Sequence, residues 1–232
     1  MASVADIRKE VKIILYRNRE EYTLEDVEGL ADLDSLRVDE LIEELIGVAV
    51  DKIYAMCPAW MLGDVVATAS SVTWDHTSDD YASVCVAPDD ALRIVLVKLP
   101  TWKKPCVEIT TFDSPVYSSY RSEFAGIRPT KSFPAVAVGQ NYVGTGAIRI
   151  EAYPKDSTSG AVIKYVKKFD DQLEVEGDDI NISKWCYRSI LYTIASLFYT
   201  SLGDANRATM MENEAIKLFE TQVKFIEDGR NA

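Results

Sequence analysis

His76 is the single histidine of this 232-residue sequence, and it stands in TWDHTSDD with Asp75, Asp79 and Asp80 nearby. One imidazole among carboxylates is the least that a metal ligand or a general base would need. A His-rich metal centre or a nucleophile and base pair requires a second partner that this sequence does not place beside it. A polar residue where a strand runs into a turn is the plainer reading, and it is preferred. The acidic pairs Glu20/Glu21, Glu43/Glu44, Asp79/Asp80, Asp89/Asp90, Asp170/Asp171 and Asp178/Asp179 suggest glycosidase or divalent-cation chemistry. That chemistry needs two carboxylates facing each other across a substrate, whereas sequence neighbours point apart. Pairs in loops therefore read as turn formers and caps. DDQLEVEGDD lacks the alternating oxygen ligands and closing Glu of an EF-hand loop. VGQNYVGTG, residues 138 to 146, has no Gly-Lys-Ser/Thr ending and reads as a hairpin tip. No GxSxG elbow surrounds any serine. The expectation is a protein without catalytic residues, cofactor or metal.

TWKKP, residues 101 to 105, is the stretch that asks for a role. Trp102 beside Lys103 and Lys104 could stack on a base while the lysines meet phosphate, as in single-strand binders. An exposed loop against a partner protein accounts for the same residues, because Trp is favoured at interfaces. Trp102, Lys103 and Lys104 are taken as partner-contact residues.

The elements that would carry these residues follow from periodicity. Residues 3 to 18 form one amphipathic helix, with Ser3 as cap and Val4, Ile7, Val11, Ile14 and Leu15 on one face. Short helical turns are expected around residues 23 to 28. A longer helix starts at Asp34 or Ser35, carries Leu36, Leu41, Leu45, Val48 and Lys52 on successive turns, and stops before Pro58. A short helical piece is expected within PAWMLGDVV. From Val72 the pattern turns to strands: VTWDH, YASVCV, the strand-like run from residue 91 that the turn in PDDALRIV leads into, then 106 to 111, 135 to 138, 147 to 153 and 161 to 168. In AIRIEAYP the alternation puts Ile148, Ile150 and Ala152 on one face and Arg149, Glu151 and Tyr153 on the other. Residues 182 to 204 are apolar nearly all round a helical wheel, as in a helix buried between others, and stop at Gly203. A last helix carries Ala208, Met211, Ala215, Leu218, Gln222 and Phe225. Met210, Met211, Leu218 and Phe225 read as helix contacts with no cofactor role. The expected fold class is α+β: a helical bundle from residues 1–70 and 180–232, with an inserted antiparallel β-sheet or open barrel over 71–179.

Composition sets the outer bounds. A hydrophobic fraction of 47% and an aromatic fraction of 10% fit a folded chain long enough to bury a core. The formal charge of −12 argues against a general nucleic-acid binder. Residues 91 to 168 nevertheless hold twelve Lys or Arg against five Asp or Glu, a local +7 that leaves −19 elsewhere. Two readings stand: ordinary surface charge partitioned between subdomains, or electrostatic matching between neighbouring subunits. Cys57, Cys85, Cys106 and Cys186 are too dispersed for a zinc module or a secreted disulfide framework, and are expected as buried thiols. MASVADIRKEVKIIL does not read as a signal peptide, and no run approaches a membrane span. Synthesis and retention in cytoplasm is the expectation.

PDDALRIVLVKLPTW with DSPVYSSYRSEFAGIRP, then AIRIEAYPKDSTSGAVIKYVKK, then WCYRSILYTIASLFYTSLGDANRATMMENEAIKLF, in this order, resemble head-to-tail adaptor (ring or connector) proteins of tailed bacteriophages. The last segment is similar to the paired C-terminal helices of podovirus-type adaptors, and the middle blocks resemble ring proteins of crAss-like phages. The resemblance covers about residues 34 to 225. It implies a structural protein of the virion neck, made in the host cytoplasm. It further implies a homododecameric ring joining the portal to adjacent tail or ring proteins, with a channel through which DNA passes without sequence-specific binding. Two alternatives remain: a second tail ring or tail-terminator protein, and a DNA-binding module acting through the basic β insertion.

Overall fold

The structure, a computed structural model, describes residues 2–17, 35–69, 72–75, 79–140, 147–156, 160–169, 179–180 and 182–231. The chain is α+β and divides into two units, one formed by Met1–Gly63 with Phe169–Ala232 and the other by Asp64–Lys168. The helical unit is thus assembled from the two stretches of sequence that precede and follow the inserted β unit.

In the helical unit, strand β1 (Ala2–Ser3) pairs antiparallel with β10 (Asp179–Ile180), and helix α1 spans Val4–Arg17. Ser3 caps α1: its Oγ accepts from the Asp6 amide at 3.1 Å and donates to the Asp6 carboxylate at 2.8 Å. Helix α2 (Ser35–Met56) ends two residues before Pro58, and the four-residue α3 (Ala59–Leu62) follows. Helices α5 (Tyr187–Ser201) and α6 (Ala205–Asn231) are separated by Gly203, whose φ of +78° is left-handed backbone that favours glycine. The Asp204 carboxylate then caps α6 by accepting from the Arg207 amide at 3.0 Å. The core is isoleucine-rich: Ile7 of α1, Ile42, Ile46 and Ile53 of α2, and Ile190 and Ile194 of α5 are all at most 1% exposed. Each such burial is worth about 1.5–3 kcal/mol relative to exposure. Helix α5 is buried on nearly every side, and Ser196 and Thr193 within it satisfy their hydroxyls on main-chain carbonyls, Ser196 on that of Ala208.

The expected α2 stripe needs correction. Val48 is 55% exposed and Leu41 and Leu45 are only half-buried, whereas Ile42, Ile46, Ala49, Val50 and Ile53 form the face that packs. The last helix departs similarly, since Ala208, Met211 and Ala215 are buried but Phe225 is 71% exposed. The expected turns at 23 to 28 lie outside the described residues.

The β unit contains two sheets, neither closed into a barrel. A three-stranded antiparallel sheet has the order β2 (Val66–Thr68), β9 (Val162–Lys167), β5 (Ala91–Lys98). The second has five strands in the order β3 (Trp74–Asp75), β4 (Ser83–Val86), β8 (Ile148–Tyr153), β7 (Ala135–Gln140), β6 (Ile109–Thr111). The α+β class with an inserted, unclosed β region is as expected from sequence. Its detail differs from an antiparallel sheet or open barrel: among the described residues the strands form two sheets, and β6 pairs with β7 in parallel, through a connection that includes the four-residue helix α4 (Tyr117–Tyr120). Strand β2, read from sequence as part of the helical half, belongs to the β unit through its pairing with β9.

The alternation in β8 is as the sequence dictates. Ile150 and Ala152 enter the larger core with Ile94, Val97, Leu99, Trp102 and Ile163, while Tyr153 enters a second cluster with Ala82, Val84, Tyr120 and Ala137. The five-stranded sheet is therefore covered on both faces. A methyl group at Gly139 of β7 would collide with the Phe112 ring that lies against it. Gly139→Ala is accordingly expected to cost about 1–3 kcal/mol, the usual range for overpacking. A lowered urea midpoint by circular dichroism checks this, and an unchanged midpoint refutes it.

Candidate functional site

Two polar constellations of the β unit merit attention as chemistry: the TWKKP tip and a carboxylate cluster on the second face of the five-stranded sheet. The tip belongs to the loop that follows β5, closed where Val97 and Cys106 exchange backbone hydrogen bonds at 3.0 and 2.8 Å. The Trp102 amide donates to the Leu99 carbonyl at 3.1 Å, a tight turn that swings the indole inward. Its Nε1–H donates to the Pro154 carbonyl at 3.3 Å, and the side chain is 2% exposed. The Asp156 carboxylate accepts from the Thr101 amide at 2.9 Å and from the Thr101 hydroxyl. Lys103 donates its amide to the Lys131 carbonyl at 2.8 Å.

Trp102 is thus a core residue and not an exposed contact, which corrects its assignment. Lys103 and Lys104 are exposed, and Lys104 Nζ stands 4.8 Å from the centroid of the Phe133 ring. The tip offers cations and a phenylalanine without a free indole, so stacking of a base on Trp102 is removed.

The second constellation centres on Glu151, which is 2% exposed. Its Oε2 accepts from Tyr153 Oη at 2.6 Å, Tyr117 Oη at 2.7 Å and the Arg121 guanidinium at 2.8 Å. Its Oε1 accepts from Arg149 Nε at 3.0 Å and is paired with Arg149 NH2 at 2.9 Å. Arg121 donates Nε–H to Tyr153 Oη at 2.8 Å and pairs with Asp79 at 2.6 Å. Asp79 in turn accepts the amides of Tyr81 and Ala82 at 2.8 and 3.1 Å. Burial pushes the Glu151 carboxyl upward, but hydrogen bonds from Tyr153, Tyr117 and Arg121 outweigh it and hold the pKa below the ordinary value. Burial, then the bond to Glu151, push the Tyr153 phenol up. A carboxylate held ionised, with both oxygens occupied, is an anchor and is poorly placed as a general base.

Beside the cluster opens a cavity of about 340 Å³, bordered by Tyr81, Tyr120, Arg128, Tyr153, Lys155 and Asp80. Its cations are engaged: Lys155 Nζ donates to the Asp79 carbonyl at 2.7 Å, and Arg128 lies 5.3 Å from the Tyr81 ring centroid.

The remaining sequence candidates separate. His76, Glu20, Glu21, Asp170, Asp171 and Asp178 lie outside the described residues. Glu43 pairs with Arg8 at 2.9 Å, and Asp90 accepts from Tyr165 Oη at 3.2 Å. Among the described residues no group of three or more His, Cys, Asp or Glu is placed to hold a metal ion. No described helix is long and apolar enough to cross a membrane.

Sequence reasoning missed the Glu151 cluster. It placed Glu151 on the correct strand face but left that face uncovered. The available signal was YSSYR at 117 to 121, whose two tyrosines lie three residues apart, as on one face of a helical turn. No protein-family model matches the chain, and no curated protein matches it.

Proposed function

We propose that the protein is a structural component of a phage virion neck, assembling into a ring that joins the portal to the tail and leaves a channel for DNA. The supporting observation is the loop from Arg121 to Pro134, which carries large apolar side chains into solvent on a hydrogen-bonded frame. Phe124 is 76% exposed, Ile127 59% and Phe133 71%. The Ile127 amide donates to the Phe124 carbonyl at 3.2 Å, and Thr130 and Phe133 exchange backbone hydrogen bonds at 3.0 and 2.9 Å. Three large apolar side chains exposed on one ordered loop fit a surface that a partner covers. Residues 124 to 133 also hold Arg128 and Lys131 and no acid.

The unit boundaries change the charge argument. Asp64, Asp75, Asp79, Asp80, Asp89 and Asp90 precede residue 91, so the whole β unit holds twelve Lys or Arg against eleven Asp or Glu, a formal +1. The helical unit keeps thirteen against twenty-six, a formal −13. Matching between a basic and an acidic unit is thereby reduced to local patches such as the 124–133 loop. DNA passes more easily along a neutral or acidic lining than along a basic one.

The test is to mix the purified protein with a candidate portal, image the product by electron microscopy and weigh it by native mass. A closed ring stacked on the portal is expected. A chain that stays monomeric with every portal and tail component overturns the reading, and a ring that binds tail proteins alone favours the tail-terminator alternative. A Phe124→Ser, Ile127→Ser, Phe133→Ser variant is expected to melt like the parent, since these residues are exposed, and to lose ring formation. Salt-dependent DNA retention lost in a Lys103→Ala, Lys104→Ala variant would favour the nucleic-acid alternative.

A further inference from the structure

Cys57 and Cys186 lie 3.2 Å apart, sulfur to sulfur, both fully buried in the helical unit, although 129 residues separate them in sequence. Cys57 follows α2 directly, its amide donating to the Ile53 carbonyl at 2.9 Å. Cys186 stands just ahead of α5, and its carbonyl accepts from the Ile190 amide at 3.0 Å. The two segments are fixed to each other independently of the sulfurs. The Ser183 amide donates to Tyr54 Oη at 3.0 Å, and Ser183 Oγ donates to the Met61 carbonyl at 2.6 Å. These bonds flank both cysteines, three residues before each and four residues beyond Cys57. A disulfide holds its sulfurs roughly 2.05 Å apart, so bonding requires the pair to close by about one ångström while the backbone is already in place. The hydrogen bond from Cys57, working against burial, holds the Cys186 thiol below the ordinary thiol range in the folded unit.

We propose that Cys57 and Cys186 are a disulfide-forming pair, oxidised by low-molecular-weight disulfides to an internal cross-link between the end of α2 and the start of α5. In the first step the Cys186 thiolate attacks one sulfur of the small disulfide, breaking its S–S bond and releasing one thiolate. The Cys57 thiolate then attacks Cys186 Sγ in the mixed disulfide and releases the second. The protein loses two protons and two electrons, and the small disulfide takes them up to become two thiols. Because the native unit shields both sulfurs, exchange takes place during folding or local opening. The cross-link closes a loop of 129 residues and so constrains the unfolded chain. This inference is independent of the ring reading and stands or falls without it.

The test unfolds the full chain in guanidinium and refolds it in a buffer of reduced and oxidised glutathione, so that burial does not limit access. The refolded protein is then denatured in guanidinium with excess N-ethylmaleimide, which blocks every free thiol, and the peptides are mapped by mass without reduction. The expected result is a Cys57–Cys186 linked peptide as the dominant species, alkylated Cys85 and Cys106, and a melting temperature that falls when dithiothreitol is added. Four alkylated cysteines in the refolded protein, or a cross-link that uses Cys85 or Cys106, would overturn the proposal. Cys57→Ser and Cys186→Ser are each expected to abolish the link, and a persisting cross-link in either would also overturn it. Should a variant fail to fold, the map of the unsubstituted chain still decides.

Discussion

Trp102→Ala is expected to destabilise the β unit by about 3–5 kcal/mol, the range for emptying a buried aromatic site. The indole is 2% exposed and belongs to the larger core, so its removal leaves a cavity among Leu99, Cys106 and their neighbours and strips the Pro154 carbonyl of its donor. Lys103→Ala and Lys104→Ala, one and two residues along and both exposed, are expected to stay within about 0.5 kcal/mol of the parent. Urea unfolding followed by circular dichroism separates the cases, because the midpoint moves while the slope, set by surface exposed, stays similar. A Trp102→Ala protein with an unchanged midpoint that no longer assembles would restore the exposed-contact reading and contradict the packing described above.

Glu151→Gln should lower stability by about 2 kcal/mol. The amide keeps one acceptor oxygen but brings an NH2 group into a site already filled with donors from Tyr117, Tyr153, Arg121 and Arg149. The figure stays below that of a fully buried pair because Arg121 and Arg149 are 39% and 31% exposed and regain water when released. The same site predicts a pH dependence. Glu151 has a folded pKa below its unfolded value of about 4.3. Its contribution is therefore complete above that unfolded value and is lost as pH falls through the folded one. Melting temperatures between pH 3 and pH 7 should drop at the acid end in the parent and drop less in Glu151→Gln. Parallel curves for the two proteins would show that Glu151 does not supply this term.

The elements that could be read from sequence are those whose signal is local. Helix α1 announces itself by Ser3 and Asp6, α5 by apolar residues all round, and β8 by strict alternation. Helix α2 carries two apolar stripes, Leu41–Leu45–Val48 and Ile42–Ile46–Ala49–Ile53, and its neighbours in the folded unit select the second. The position of Trp102 depends on Pro154 and Asp156, more than fifty residues away, which bind the Thr101–Trp102 turn. Glu151 lies on the predicted face, yet its environment is made by Tyr117 and Arg121, thirty or more residues earlier. The parallel pairing of β6 with β7 had no local marker either, since it depends on the path taken by residues 112 to 134. Candidate chemistry was legible where it concerned residue types and illegible where it concerned what covers them.

The division of the helical unit between the stretches that precede and follow the β unit has a consequence for how the protein is made. Ribosomes add roughly 5–20 residues per second, and 145 residues separate the end of α2 at Met56 from the end of α5 at Ser201. For about 7–30 s the nascent chain holds Ile42, Ile46 and Ile53 without the helix that will cover them. During that interval the β unit emerges whole. Vectorial synthesis thus completes the inserted β unit before the helical unit, and leaves the apolar face of α2 waiting for its partner.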